Sequence, residues 1–115
     1  MSNVLIGCAI WGYRPWVGAF LPAGTSTTAM LSAYSQRLTT VEINATFYAI
    51  PDSKTVARWA TEVPDHFRFC PKIPQAISHA GKLNDQHETM QVFVEQMQPL
   101  QSKVGRVFLQ LPPRY

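Results

Sequence analysis

Cysteine and glycine are scarce in this chain, and their scarcity narrows the kinds of protein it can be. The 115 residues include two cysteines and six glycines. Cys8 and Cys70 lie far apart in strand-like runs, so the sequence indicates neither a disulfide scaffold nor a two-cysteine metal site. A buried, reduced thiol is the state expected for both residues.

Charged residues are sparse as well, at 15% of the chain, and the basic ones form no run. The formal net charge of +3 includes ten Lys and Arg residues scattered from Arg14 to Arg114. Because basic arms that bind nucleic acid are clustered segments, no such arm is predicted. The positive balance is still compatible with an anionic ligand.

The sequence also lacks a long hydrophobic run. Its N-terminus, MSNVLIGCAIW, has no basic segment and only a brief apolar stretch, which predicts neither a signal peptide nor a membrane span. We therefore expect a cytoplasmic protein without a membrane partner. A hydrophobic content of 46% and nine prolines are typical of one small globular domain with many loops.

Strand-like and helical patterns alternate along the chain. Continuous apolar or alternating runs predict four strands, at residues 4–9, 40–44, 67–72 and 106–112. Three helical patterns separate them. The resulting order, β-α-β-α-β-α-β, favours right-handed crossovers and a parallel sheet.

The ends of the three helices carry recognisable signals. The capping residues expected at their N-termini are Thr27 or Thr28, Asp52 or Ser53, and Asp85 with Glu88 as its capping-box partner. Pro64 should stop the second helix. The residues of the third helix expected to face inward are Met90, Phe93, Val94 and Met97.

Two parallel architectures fit this order, and one fits better. A doubly wound dinucleotide-binding sheet normally carries G-x-G-x-x-G after its first strand, but this chain has CAIWGYRPWVGAF there. A TIM-barrel type (β/α) architecture is the better match. Since a complete (β/α)8 barrel takes about 250 residues, residues 1–115 are predicted to be an incomplete half barrel.

Residues at the C-terminal ends of the predicted strands are the best functional candidates, because sites in parallel α/β proteins lie there. In chain order they are Trp11, Tyr13, Trp16, Glu42, Asn44, Phe47, Tyr48, Lys72, His79 and Gln110. Alternation puts Glu42 and Asn44 on one side of their strand. If that side faces the barrel axis, a carboxylate, an amide and the Lys72 ammonium converge.

Glu42 and Lys72 form the chemical centre of this set. A buried carboxylate needs a cation, and Lys72 is the nearest one by topology. The two residues are either a structural ion pair or part of a functional site. His79 is a candidate acid or base, or else a solvent-exposed loop residue. Glu42 and His79 supply too few ligands for a metal, and no other cofactor is predicted.

The aromatic and amide side chains have both binding and packing interpretations. Trp11 and Tyr13 could form a stacking platform for a sugar or a base, whereas self-packing of the loop is favoured for Trp16. The Tyr48 hydroxyl is a candidate ligand contact. Gln110 could bind a ligand or satisfy a backbone group, and the sequence does not favour either.

The motifs IGCAIWGYRPWVGAF, TTVEINATFYAIP, VARWATEVPDHFRFCPKIPQAISH and VFLQLPP together resemble the N-terminal half of the YecE-like family, a domain of unknown function. The resemblance implies a TIM barrel about twice as long as this chain. By position it implies that the pocket residues are Trp11, Glu42, Asn44, Phe47, Tyr48, Lys72, His79 and Gln110. Family members look like enzymes, but the resemblance implies no particular reaction.

Three hypotheses about function follow. The parent protein could be an enzyme acting on a phosphorylated sugar, a nucleotide or nucleic acid, with Glu42 as general base or orienting group, Lys72 stabilising an anion and His79 as acid or base. It could instead be a non-catalytic nucleic-acid-binding module. The chain could also be an inert fragment, which would self-associate through its open barrel edge.

Overall fold

A computed structural model of the protein describes residues 4–115. Its sheet contains three parallel strands in sequence order, β1 (Gly7–Cys8), β2 (Thr40–Ile43) and β3 (Arg68–Pro71). The predicted parallel sheet is therefore confirmed. Each strand is shorter than the sequence segment that was predicted to form it.

The predicted fourth strand is only partly formed. The chain from residue 104 to residue 109, here called the edge segment, runs parallel to β3 and touches it at two isolated bridges, Phe69 to Val104 and Lys72 to Phe108. The backbone nitrogen of Phe108 donates to the Pro71 carbonyl at 2.9 Å, and that of Ile73 donates to the Phe108 carbonyl at 2.8 Å. The segment thus occupies the fourth position of the sheet without a continuous ladder.

Five α-helices occur in the described part of the chain: α1 (Met30–Ser35), α2 (Ala45–Tyr48), α3 (Ser53–Thr61), α4 (Gln75–Ser78) and α5 (His87–Met97). Short 3-10 turns add Arg14–Trp16, Thr27–Ala29, Leu83–Asp85 and Gln98–Lys103. The three predicted helices correspond to α1, α3 and α5. The one-turn helices α2 and α4 were not predicted, and both lie at strand exits, where they shape the site.

Only one of the predicted helix caps is correct. The Asp52 carboxylate accepts a hydrogen bond from the Thr55 backbone nitrogen at 2.8 Å, and this bond lowers its pKa. The capping box at Asp85 is wrong, because Asp85 belongs to a preceding 3-10 turn and α5 starts at His87 without a side-chain cap. A 3-10 turn likewise precedes α1, so neither Thr27 nor Thr28 caps it.

The hydrophobic core lies between the helices and one face of the sheet, here called the covered face. Val41, Ile43 and Phe69 project from that face and are fully buried. They belong to one cluster with helix and loop residues that include Tyr34, Val56, Trp59, Phe67, Phe93 and Met97. Val94 was expected to face inward but is 44% exposed, since it lies beside the edge segment, where no other element of the described chain covers it.

Tyr34 of α1 joins the first two strands. Its buried hydroxyl donates to the Thr40 carbonyl and accepts from the Cys8 backbone nitrogen, both at 2.7 Å. Burial raises the pKa of this phenol to about 12. The Cys8 side chain itself is exposed and Cys70 is partly exposed, both as free thiols, so the expectation of buried cysteines is wrong. Cys8 is uncovered because β1 is short and no strand within residues 4–115 pairs with its outer side.

The opposite face of the sheet, here called the open face, carries Thr40, Glu42, Arg68, Cys70 and Lys72, which alternate with the buried residues and remain partly exposed. Both margins of the sheet expose apolar side chains, among them Leu5, Ile6, Val107 and Leu109. Among residues 4–115, no helix is both long and apolar enough to cross a membrane.

Candidate functional site

Lys72 leaves β3 on the open face and reaches towards the exit of β2. Its ammonium donates to the Asn44 side-chain oxygen at 3.3 Å. It also lies 4.2 Å from the centroid of the Phe47 ring and 6.0 Å from that of Phe108. An ammonium over an aromatic face is attracted to the electron-rich ring. The structure therefore brings Lys72, Asn44 and Phe47 together at the strand ends.

The expected ion pair between Glu42 and Lys72 is absent from the part of the chain that the structure describes. Its only ion pairs within 4.0 Å are Arg58 to Glu62 and Lys103 to Asp65. The register explains the difference. Glu42 aligns with Cys70, and Lys72 lies two residues further along the chain than Cys70. Glu42 is partly exposed, so water can solvate its carboxylate without a cation.

Glu42 lies instead in a small hollow between the exits of β1 and β2. The hollow has a volume of about 190 Å³ and is lined by Ala9, Ile10, Trp11, Gly12, Glu42, Ile43, Asn44 and Ala45. Asn44 lines this hollow and also accepts from Lys72. Asn44 thus shares the hollow with Glu42 and also contacts the Lys72 ammonium.

The aromatic residues after β1 are used mainly for packing. The Trp11 ring meets Trp59 at 5.2 Å and Phe69 at 6.4 Å between centroids, both edge to face. Trp16 packs against Tyr13 at 5.4 Å and is stacked on the core residue Tyr34 at 6.2 Å, in keeping with loop self-packing. Tyr13 is 47% exposed, which leaves part of its ring accessible.

A wider groove, here called the aromatic groove, lies between α2 and α4. Its volume is about 620 Å³, and its lining consists of Phe47, Tyr48, Ala49, Ile50, Pro74, Gln75, Ala76, His79 and Ala80. Phe47 is edge to face with Tyr48 at 5.2 Å and with His79 at 5.3 Å. Since the same Phe47 ring also contacts the Lys72 ammonium, it forms a wall between the cation and the groove.

Gln110 remains apart from these contacts. It is exposed, and no hydrogen bond of its side chain is found within residues 4–115. It lies two residues beyond Phe108, the bridge partner of Lys72, and just past the edge segment. No residue of the described chain holds its amide in a fixed orientation.

Thr46 holds the exits of β2 and β3 together, although it was not among the residues expected to form the site. This residue is fully buried, and its hydroxyl lies 2.8 Å from the Ile43 carbonyl and 2.6 Å from the Lys72 carbonyl. Because a hydroxyl carries one proton, it donates to one of these oxygens at a time. The only sequence feature that marks Thr46 is its position between a strand and two aromatic residues, and this feature is a weak indication of a structural role.

The described residues contain no cluster of three or more His, Cys, Asp or Glu side chains arranged to hold a metal ion. The polar groups at the strand ends are instead one ammonium, one amide, one carboxylate and one imidazole, from Lys72, Asn44, Glu42 and His79. In this set Lys72 supplies hydrogen-bond donors and a positive charge, and the Glu42 carboxylate supplies an acceptor.

Comparisons with known proteins place this chain beside uncharacterised relatives. The family model described as "Protein of unknown function DUF72" matches residues 5–115. The "UPF0759 protein YecE" of Escherichia coli (strain K12) is 33% identical over 112 residues, which are 97% of this chain and 39% of that protein. The "UPF0759 protein YunF" of Bacillus subtilis (strain 168) is 28% identical over 116 residues, covering 96% of this chain and 40% of that protein.

Solved structures give the same relationship. Two crystal structures of a DUF72 family protein from Enterococcus faecalis V583 match with TM-scores of 0.65 and 0.67 at 32% and 31% identity. They cover 71% and 79% of this chain, and this chain covers 32% and 39% of theirs. The chain thus has a partial α/β fold of the TIM-barrel type, and it spans about two fifths of the curated relatives it matches.

Proposed function

We propose, from the premise that this chain belongs to the DUF72 family of proteins of unknown function, that its strand ends form part of a binding site for a phosphorylated ligand. In this proposal, residues 1–115 are the N-terminal half of a (β/α)8 barrel, and the remaining strands complete the mouth of the site. The observation that carries the proposal is the environment of Lys72.

The Lys72 ammonium has a neutral amide and aromatic rings as its partners, and no carboxylate lies within 4.0 Å of it in the described chain. A charge that no carboxylate neutralises is available to an anion. The half-buried position strengthens the attraction, because a charge screened less by water interacts more strongly with an approaching phosphate. Asn44 then orients the ammonium for that contact.

The neighbouring groups fit an enzyme acting on a phosphorylated sugar, a nucleotide or nucleic acid. Glu42 would serve as general base or as an orienting carboxylate, and His79 would exchange or share a proton with the substrate. Lys72 would stabilise the anionic charge. Residues that would contact the ligand without reacting are Trp11, Tyr13, Asn44, Tyr48 and Gln110.

A binding experiment tests the proposal directly. We expect inorganic phosphate, a hexose phosphate and a nucleoside monophosphate to perturb the NMR signals of residues around Lys72, and Lys72→Ala to abolish the response. Lys54→Ala is the matched control, since it removes the same charge from the exposed surface of α3. Equal responses in the wild type and both variants, or no response in any of them, would overturn the proposal.

The aromatic groove supports a second candidate, a non-catalytic nucleic-acid-binding module. Tyr48 is 67% exposed at its rim, and exposed rings stack on bases with little sequence preference. Affinity for single-stranded oligonucleotides should then fall steeply with salt, because each neutralised phosphate releases counterions. Tyr48→Ala should weaken the binding at constant salt. Affinity that ignores both salt and Tyr48 would exclude this candidate.

The exposed margins of the sheet support a third proposal, that the isolated chain has no activity of its own and self-associates. Leu5 and Ile6 lie beside β1, and Val107 and Leu109 lie on the edge segment, all more than 40% exposed. Exposed apolar strand edges pair with other chains. Sedimentation should show oligomers that grow with concentration. A monomer over the whole concentration range would refute this proposal.

A further inference from the structure

Ser78 is in contact with His79, and the proposed function gives Ser78 no role. Ser78 is the last residue of α4 and is 1% exposed, whereas His79 follows the helix and is exposed in the aromatic groove. The Ser78 hydroxyl oxygen lies 2.7 Å from Nδ1 of His79. A buried hydroxyl therefore contacts one ring nitrogen, and Nε2 is left without a protein partner in the described chain.

The surroundings of Ser78 decide which atom donates. Among residues 4–115, the only other acceptor within hydrogen-bond distance of its hydroxyl is the Pro74 carbonyl, at 3.5 Å. That carbonyl already accepts from the backbone nitrogens of Ile77 at 2.9 Å and of Ser78 at 3.1 Å. The Ser78 proton therefore belongs in the contact with His79.

We propose that Ser78 is a positioning residue which donates to Nδ1 of His79 and holds the neutral imidazole in the tautomer protonated at Nε2. In neutral histidine one ring nitrogen donates while the other accepts, so occupation of the Nδ1 lone pair fixes the proton on Nε2. Phe47, edge to face with His79 at 5.3 Å, restricts the ring from a second direction.

This assignment changes the chemistry available to His79. The imidazole presents an N–H donor to the groove, so Nε2 of the neutral ring acts as a hydrogen-bond donor rather than as a base. Like the Lys72 ammonium, it favours a ligand that offers oxygen acceptors, such as a phosphoryl or carboxylate group. The preference for that ligand class rests on the proposed function, but the tautomer itself does not.

The tautomer can be measured without any ligand. We suggest nitrogen-15 NMR of histidine-labelled protein at a pH of about 9, well above the ordinary histidine pKa of about 6.5. His66 and His87 are exposed and serve as references in the same spectrum. The ratio of Nε2–H to Nδ1–H at His79 should exceed theirs by about fivefold, the change that one net hydrogen bond supplies. A ratio equal to theirs, or a majority of Nδ1–H, would overturn the proposal.

Two variants separate positioning from general stability. Ser78→Ala should return the His79 ratio to that of His66 and His87. Ser35→Ala should leave it unchanged, since Ser35 is another buried serine whose hydroxyl donates to a helix carbonyl, that of Ser32, at 2.7 Å. If Ser78→Ala fails to fold, the wild-type ratio alone decides. If the wild-type protein shows the Nε2–H tautomer of His79 but does not bind phosphate, the proposed function is contradicted and this inference stands.

Discussion

On the covered face of the sheet, Val41 and Phe69 are completely buried beneath helices, whereas Glu42 and Cys70, their neighbours in the chain, are partly exposed on the open face. The same two strands therefore carry both sets of side chains. Burial of apolar area holds the covered face together, while the open face keeps polar groups that contribute little to packing. The comparison indicates that packing stability comes from the covered face, whereas the proposed site uses side chains of the open face.

The largest effect should separate adjacent residues of β3. Phe69→Ala removes a fully buried ring and should lower the free energy of unfolding by about 3–5 kcal/mol. Cys70→Ala, on the open face, should lower it by less than about 1 kcal/mol. Urea unfolding of both variants followed by fluorescence checks the difference. Similar losses would mean that the two faces are not energetically distinct.

A smaller effect should come from the hydroxyl that joins β1 to β2. Tyr34→Phe removes both hydrogen bonds of the phenol, to the Cys8 backbone nitrogen and to the Thr40 carbonyl, at a cost of about 1–3 kcal/mol. Phe93→Leu is a control for ring packing without loss of a hydrogen bond. Unchanged stability of Tyr34→Phe in urea would show that the hydroxyl does not link the strands.

The same phenol predicts a dependence on pH. Because the pKa of Tyr34 is raised to about 12 in the fold, the folded chain keeps a proton that the unfolded chain releases near pH 10. The stabilisation should be complete below about pH 10 and should be lost as the pH rises towards 12. Denaturation curves in this range should shift more for the wild type than for Tyr34→Phe. Parallel shifts in both proteins would contradict this origin.

The smallest effect should occur at the exposed start of α3. Asp52→Ala removes the acceptor for the Thr55 backbone nitrogen and should lower the melting temperature slightly, whereas Asp85→Ala should not. The lowered pKa of Asp52 means that its contribution is complete above the ordinary carboxyl range and is lost as the pH falls through the folded value. Equal melting temperatures for the two variants at neutral pH would show that the cap is unimportant.

Much of the fold was predictable because local patterns decide it. Alternation along residues 40–43 assigns Val41 and Ile43 to the core, and Asp52 occurs where a helix needs a cap. The polar residues at strand exits were also predictable in position, since parallel strands end at one edge of the sheet. The pairing of their side chains was not, because it depends on register and on the reach of each side chain.

By itself, therefore, the sequence determined the order of the three paired strands and of helices α1, α3 and α5, the parallel sheet and the collection of polar groups at its C-terminal edge, since these follow from periodicity and chain direction. Only the tertiary structure decided that Lys72 contacts Asn44 and Phe47 rather than Glu42, and that Ser78 reaches Nδ1 of His79. These contacts depend on distances of a few ångströms between separate elements, which strand register and the short helices α2 and α4 fix.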